Sequence, residues 1–310
     1  MISICIPVYN YKIGRLVRDL VWQGDRCGVP YEIIVIDDHS PPSVSSLNEV
    51  ACRQHNYIRL STNVGRSRIR NMFPVRARYD KLLFIDCDSE IISENFLEKY
   101  LQEVKQGDPP VICGGRAYNV NLPLPEERLR WRYGRERESI TAELRRQSPV
   151  RYFMTNNFLI DRNIVETVKF DERLTQYGYE DTLFAYNLGK LGLHIRHIDN
   201  PLLHACVETN PAFIEKTDRS IANLVSIIQY TGHDSGFINT VRILSVYFGL
   251  RRNIPGRLAG FLLMLLRPAL RAMLCRRVSS LRLFDMYKLG LLHLLMAKTR
   301  PPQNKPGVSV

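Results

Sequence analysis

The chain has 310 residues, 45% of them hydrophobic and 24% charged, with a net charge of +12. These proportions are ordinary for a folded protein, and the length holds one large domain with an appendage, or two domains. Seven cysteines, odd in number, scattered and never spaced Cys-x-x-Cys, exclude a disulfide framework and a zinc site and predict a reducing compartment. The charge is uneven: residues 251–310 carry twelve Lys/Arg against one acid, Asp285, for +11, leaving +1 for residues 1–250. Such asymmetry marks a surface for an anionic partner.

In chain order, Ile2-Ser3-Ile4-Cys5-Ile6-Pro7-Val8-Tyr9-Asn10 predicts a short apolar strand ended by Pro7, with no basic leader region before it and so no signal peptide. Ile13, Leu16, Val17, Leu20 and Val21 have helical spacing. Residues 31–40 predict a second buried strand ended by the acids Asp37 and Asp38, and Pro41-Pro42 breaks the chain before a helix over 43–54. A third strand covers 57–60, and 63–78 reads as a Gly65 turn followed by a basic helix. The apolar run 82–85 predicts a buried strand delivering Asp86 and Asp88. Alternation at this rhythm means a doubly wound, mostly parallel sheet. Further on, the pattern predicts a helix over 96–104, a strand over 111–116, a polar excursion over 120–149, a strand over 153–160, a helix over 181–191 and a last strand over 194–198 leading to His204.

The ends of strands in such a sheet are where ligands bind. Two carboxylates as close as Asp86 and Asp88 resist desolvation unless a cation lies between them, and a hard divalent ion can take their oxygens and bridge to a diphosphate. The segment therefore predicts a metal–diphosphate site; an acidic turn is the alternative for so short a motif.

Five segments occur in order: Ile6-Pro7-Val8-Tyr9-Asn10; Ile36-Asp37-Asp38-His39-Ser40; Asn63-Val64-Gly65-Arg66-Ser67-Arg68-Ile69-Arg70-Asn71; Ile85-Asp86-Cys87-Asp88; and Phe170-Asp171-Glu172 followed by Tyr177-Gly178-Tyr179-Glu180-Asp181. Together they resemble the inverting family-2 glycosyltransferases of the GT-A fold, over roughly residues 1–205, with more arginines in the third segment than that family usually carries. The resemblance implies an α/β GT-A architecture, a Rossmann-like, mostly parallel central sheet with flanking helices. It implies nucleotide-sugar binding by Pro7, Tyr9, Asp37, Asp38, Arg66, Arg70 and Asp86, with Tyr9 offering its face to the base and Asp37 or Asp38 accepting a uracil N–H. A metal, Mn2+ or Mg2+, would lie on Asp86, Asp88 and His204, imidazole favouring manganese. Asp181 would be the base, with Glu180 binding the acceptor or supporting groups. One base and direct displacement invert the anomeric centre, unlike the paired carboxylates of a glycosidase. The competing readings are core packing for Tyr9, an Asx turn at Asp37-Asp38, a solvated face for Arg66 and Arg70, a favoured helix start for Glu180-Asp181, and a structural His204.

The expected organisation is a catalytic domain over 1–235, with a nucleotide-binding half 1–90 and an acceptor half 91–235, then a basic amphipathic helical region 236–300 and a disordered tail 301–310. Residues 258–266 and 289–297 are uncharged runs of nine, short of the roughly 20 that a span needs. They predict helices lying in a membrane interface with arginines toward lipid phosphates, or else packing on the body or a second subunit. Basic residues in an apolar tail argue against nucleic acid. The function expected is metal-dependent, inverting transfer from a nucleotide-sugar, UDP-sugar by default, to a glycan or lipid-linked acceptor in surface polysaccharide synthesis at the cytoplasmic face of the plasma membrane. A non-catalytic, membrane-associated glycan-assembly protein with the same fold is the competing expectation.

Overall fold

The structure is a computed structural model and describes residues 1–299; the expected tail 301–310 lies outside the described residues. The chain forms two compact units. One contains Met1–Pro123, Arg130–Thr175 and Glu180–Val207; the other contains Leu124–Leu129, Gln176–Tyr179 and the chain from Glu208 onward.

Up to Val207 the elements are β1 (Ile2–Val8), α1 (Gly14–Arg26), β2 (Tyr31–Asp37), α2 (Pro42–Ala51), β3 (Asn56–Arg59), α3 (Arg66–Asn71), β4 (Lys81–Ile85), β5 (Ser89–Glu90), α4 (Phe96–Gly107), β6 (Val111–Cys113), β7 (Arg116–Ala117), α5 (Arg128–Tyr133), α6 (Ala142–Arg146), β8 (Asn157–Asp161), α7 (Arg162–Val168), α8 (Glu180–Lys190), β9 (Ile195–His197) and β10 (Leu202–His204). Seven strands form the main sheet in the order β3-β2-β1-β4-β8-β6-β9. Every pair is parallel except those of β8, which runs antiparallel between β4 and β6. Helices cover both faces, so the inner strands are mostly apolar. Ile2, Ile4, Ile6 and Val8 pack with Leu16, Leu20, Phe96 and Leu97 on one side, and Cys5, Ile36 and Phe84 with Phe73 and Phe158 on the other.

Three boundaries differ from the sequence expectation. β1 runs through Pro7 to Val8, because pairing with β4 stops at Cys5 and only the β2 ladder continues past the proline. The basic helix over 63–78 is six residues of α3, after which Pro74 opens a short 3₁₀ turn, Pro74–Arg76. β8 begins at Asn157, since the preceding polar residues are spent on turns. A second sheet, β5-β10-β7, was not anticipated. It sets His204 against Ser89 and Leu202 against Arg116.

The second unit is helical: α9 (Asn210–Tyr230), α10 (Ser235–Thr240), α11 (Arg242–Leu250), α12 (Ile254–Arg276) and α13 (Leu281–Lys298). α9, expected within the catalytic domain 1–235, packs on α12 and α13 because Ile214, Ile221, Leu224 and Ile228 form an apolar face for them. Asp218 on α9 accepts the Tyr287 hydroxyl and lies 3.7 Å from Arg271. α12 and α13 approach closely through Gly290, where a Cβ would stand 2.3 Å from the Leu263 carbonyl oxygen. Leu289, Leu291 and Leu292 are buried, so the first half of the run 289–297 packs on protein, while 293–296 are half-buried.

Candidate active site

Four strand ends and one helix start build the site. At the end of β1, Pro7 is half-buried and Tyr9 is 58% exposed, which excludes core packing for the tyrosine. Asn10 and His39, just beyond β1 and β2, have φ of 50° and 67°. Such backbone is disfavoured for non-glycine residues and persists where the surroundings enforce it. Asp37 enforces part of it: it is fully buried, and its two oxygens take the Ser40 N–H at 2.7 Å and the Tyr57 hydroxyl at 2.6 Å. Asp38 accepts the Val64 N–H at 2.6 Å and the Gly65 N–H at 3.0 Å, and so ties the second sequence segment to the third. Both carboxylates are thus committed to protein donors, the turn-forming role weighed for them above.

The third segment places α3 beneath the end of β4. Arg70 is 2% exposed, which excludes a solvated face for it; Nη2 donates to Asp86 Oδ1 at 2.8 Å and the guanidinium lies 5.7 Å from the Phe170 ring. Phe170 stacks on Phe184 of α8 at 4.0 Å. Arg66, half-exposed, reaches Glu180 Oε1 at 3.5 Å. One short helix therefore sets an arginine against each acid motif.

The small sheet brings further groups. Arg116 lies 3.5 Å from Asp86 Oδ2 and 3.3 Å from Glu138 Oε2. Glu138 also takes Arg130 Nη2 at 3.1 Å and the Tyr118 hydroxyl. Burial works against the charge on Glu138, but Arg130 and Arg116 outweigh it and hold the carboxyl down at about 2. None of Arg116, Tyr118, Arg130 or Glu138 was identified from sequence. They carry no periodic signal: Arg116 lies in two-residue β7, Tyr118 just after it, and Arg130 and Glu138 in the irregular stretch expected over 120–149.

His204 ends β10, with Nδ1 3.5 Å from Asp88 Oδ2 and its ring 5.4 Å from Tyr118. Burial disfavours the Asp88 carboxylate, yet His204, Arg116 and Arg66 together hold it well below the usual range. The buried imidazole makes no hydrogen bond at either nitrogen. A buried polar group without a partner is costly, and a divalent cation on Asp88 and His204 would supply one. The donor set fits a metal whose other ligands come from a diphosphate. Of the three expected ligands, however, the structure brings together two. Asp86 spends its oxygens on Arg70 and Arg116, and among the described residues no cluster of three His, Cys, Asp or Glu is gathered for a metal.

At the start of α8 the chain turns through Gly178 and Tyr179, with φ of 102° and 66°. Glu180 is buried beside Arg66, and Asp181 is partly buried with Oδ1 accepting the Thr182 N–H at 2.7 Å. Burial first, and the Glu180 charge second, push the Asp181 carboxyl up to about 6, against opposition from Thr182 and Arg70. A carboxylate poised there can accept a proton near neutral pH. The Asn156 and Asn157 side chains are buried: Asn157 holds the Tyr100 hydroxyl at 2.6 Å and the Asn200 carbonyl at 2.7 Å.

A mostly parallel sheet with its acids gathered at strand ends, one antiparallel strand and a small second sheet is the GT-A architecture. Solved structures agree on the fold. The mannosyltransferase of Pyrobaculum calidifontis, in complex with GDP-Man and Mn2+, superposes with a TM-score of 0.57 at 12% identity over 96% of this chain and 86% of that one. TarS 1–349 of S. aureus in complex with UDP gives 0.52 at 16% identity over 96% and 90%. The family profile of Glycosyl transferase family 2 matches residues 3–169. The chain belongs to that family. Among curated relatives it is 24% identical over 247 residues to an uncharacterized glycosyltransferase, YfnE, of Bacillus subtilis, covering 63% of this chain and 62% of that protein. It is 22% identical over 267 residues to the chondroitin synthase of Escherichia coli, covering 73% and 37%. The chain thus spans under two thirds of the length of these curated relatives.

Proposed function

We propose that this protein is a metal-dependent inverting glycosyltransferase. It moves a hexosyl or N-acetylhexosaminyl group from a nucleotide-sugar, a UDP-sugar by preference, to a glycan or lipid-linked acceptor in surface polysaccharide synthesis at the cytoplasmic face of a membrane. The observation that carries the reading is the pair of contacts made by α3, Arg70 to Asp86 and Arg66 to Glu180, which holds the two acid motifs in one site. UDP in the TarS complex, and GDP-Man with Mn2+ in the archaeal one, support the donor class and the metal.

In this reading Tyr9 offers its exposed ring to the base, beside the loop that Asp37 and Asp38 brace. Asp88 and His204 hold Mn2+ or Mg2+, which when bound neutralises the diphosphate leaving group. Asp86 keeps Arg70 and Arg116 aimed at the same place, two fixed cations for developing phosphate charge. Glu180 and Arg66 position the acceptor side, and Asp181 takes the proton of the attacking hydroxyl. One base beside one displacement gives inversion.

Incubation with nucleotide-sugars, Mn2+ and candidate glycan acceptors tests the proposal, with nucleotide release and the anomeric configuration of the product read by NMR. Retained configuration would remove the inverting mechanism. No consumption of any donor would remove the enzyme and favour a non-catalytic assembly role.

A further inference from the structure

The long helix α12 has two apolar faces, and the protein uses one. Gly256, Gly260, Leu270 and Leu274 are buried within the second unit. On the other side Ile254, Leu258, Phe261, Leu262, Leu265 and Met273 recur at helical spacing and are each 44% or more exposed. They form one stripe about 28 Å long at 1.5 Å per residue. A stripe of this size is uncommon on a surface that meets only water.

The charges around it point to what covers it. Residues 251–284 contain eight arginines and no acid. Arg251, Arg252 and Arg257 cluster at the start of the stripe and Arg276 and Arg277 at its end, all exposed. Of these eight, only Arg271 meets a carboxylate among the described residues, Asp218, and it lies on the buried side of the helix. An apolar stripe with cations at both ends matches a surface of acyl chains rimmed by phosphates. Residues 254–276 are long and apolar enough to cross a bilayer. A crossing, however, would place Arg267 and Arg271 in hydrocarbon and strip α13 from the face it packs on.

We infer that α12 lies flat on an anionic lipid surface, with Leu258, Phe261, Leu262 and Leu265 in the headgroup–acyl boundary and the terminal arginines on lipid phosphates. This rests on the membrane location proposed above and names the element and the lipid chemistry that would provide it. It also differs from the two-helix expectation, because Leu289, Leu291 and Leu292 of the 289–297 run are already buried in the protein.

The test is co-sedimentation of the full chain with phosphatidylcholine vesicles, with and without phosphatidylglycerol, at low and high salt. The wild type is expected to bind the anionic vesicles and to be released by salt. Leu262→Glu with Leu265→Glu should lower the bound fraction at least about tenfold while UDP binding is retained. Arg276→Glu with Arg277→Glu should erase the preference for anionic lipid. Vesicle binding needs no donor, so its failure and the failure of the glycosyltransferase reading are seen separately. Absent binding, equal binding by the Leu262/Leu265 variant, or equal binding to zwitterionic vesicles would overturn the inference. So would a lipid-free dimer, by sedimentation velocity, that the Leu262/Leu265 variant dissolves, since a second copy would then own the stripe.

Discussion

Replacing Asp181 by Asn removes a charge that folding holds at a disadvantage. The carboxyl titrates near 6 in the native site against 3.8 ordinarily. Because the native value is the higher one, the folded protein keeps a proton that the unfolded chain releases, so stability falls as pH rises from about 4 through about 6 and stays lowered above. The full difference corresponds to about 3 kcal/mol, and solvent screening at a partly exposed group brings it to about 2 kcal/mol. Asn keeps the oxygen that accepts the Thr182 N–H and cannot ionise. Asp181→Asn should therefore melt about 4 °C higher than wild type at pH 8 and at the same temperature below pH 4. Its kcat should fall by about 10²–10⁴, with UDP affinity unchanged. The wild-type kcat/KM should rise with pH to a plateau with an apparent pKa near 6, and this limb should vanish from the residual activity of the variant. Differential scanning calorimetry across pH, with initial rates on the same samples, makes the comparison. A variant that is less stable at pH 8, or that retains more than about a tenth of the wild-type rate, refutes the reasoning.

His204→Phe preserves the ring contact with Tyr118 but removes a partner that helps to keep Asp88 ionised, so the metal-free protein should melt a few degrees below wild type at neutral pH, while Mn2+ affinity measured by calorimetry with UDP drops at least about tenfold. Tyr9→Ala, at an exposed position, should change stability by less than about 0.5 kcal/mol and weaken uridine and UDP alike. Arg116→Met should weaken UDP but not uridine, an outcome that equal loss of both would contradict. Glu138→Gln leaves Arg116 and Arg130 without their shared carboxylate and should destabilise by about 3 kcal/mol in denaturant titration.

The parts of the fold that repeat were legible beforehand. β1, β2 and β4 announce themselves as apolar runs ended by acids or a turn, since burial on both faces leaves them few polar positions. The helix of α1 showed in the spacing of Leu16, Val17 and Leu20. The small sheet escaped because β5 and β7 are two residues long and are held by partners distant in sequence, which no local period can report. Arg116 and Glu138 escaped for the same reason. α12 was read as a nine-residue run because Arg267 and Pro268 interrupt it. The helix continues through both, with Arg267 turned away from the apolar stripe and the proline accommodated inside a helix packed along α13. Asp37 shows the limit of motif transfer: its place in the second segment was anticipated, but its full burial between Ser40 and Tyr57 depends on a fold that no window of sequence contains.

The most direct test of the central claim is thermal stabilisation by a panel of nucleotides and nucleotide-sugars, each with and without Mn2+. Ligand at a hundred times its Kd adds about 2.7 kcal/mol, a shift of several degrees for a protein of this size. The account predicts such a shift with UDP or a UDP-sugar, dependent on Mn2+ and reduced in His204→Phe. A protein whose melting moves with no nucleotide, metal present or absent, would contradict it.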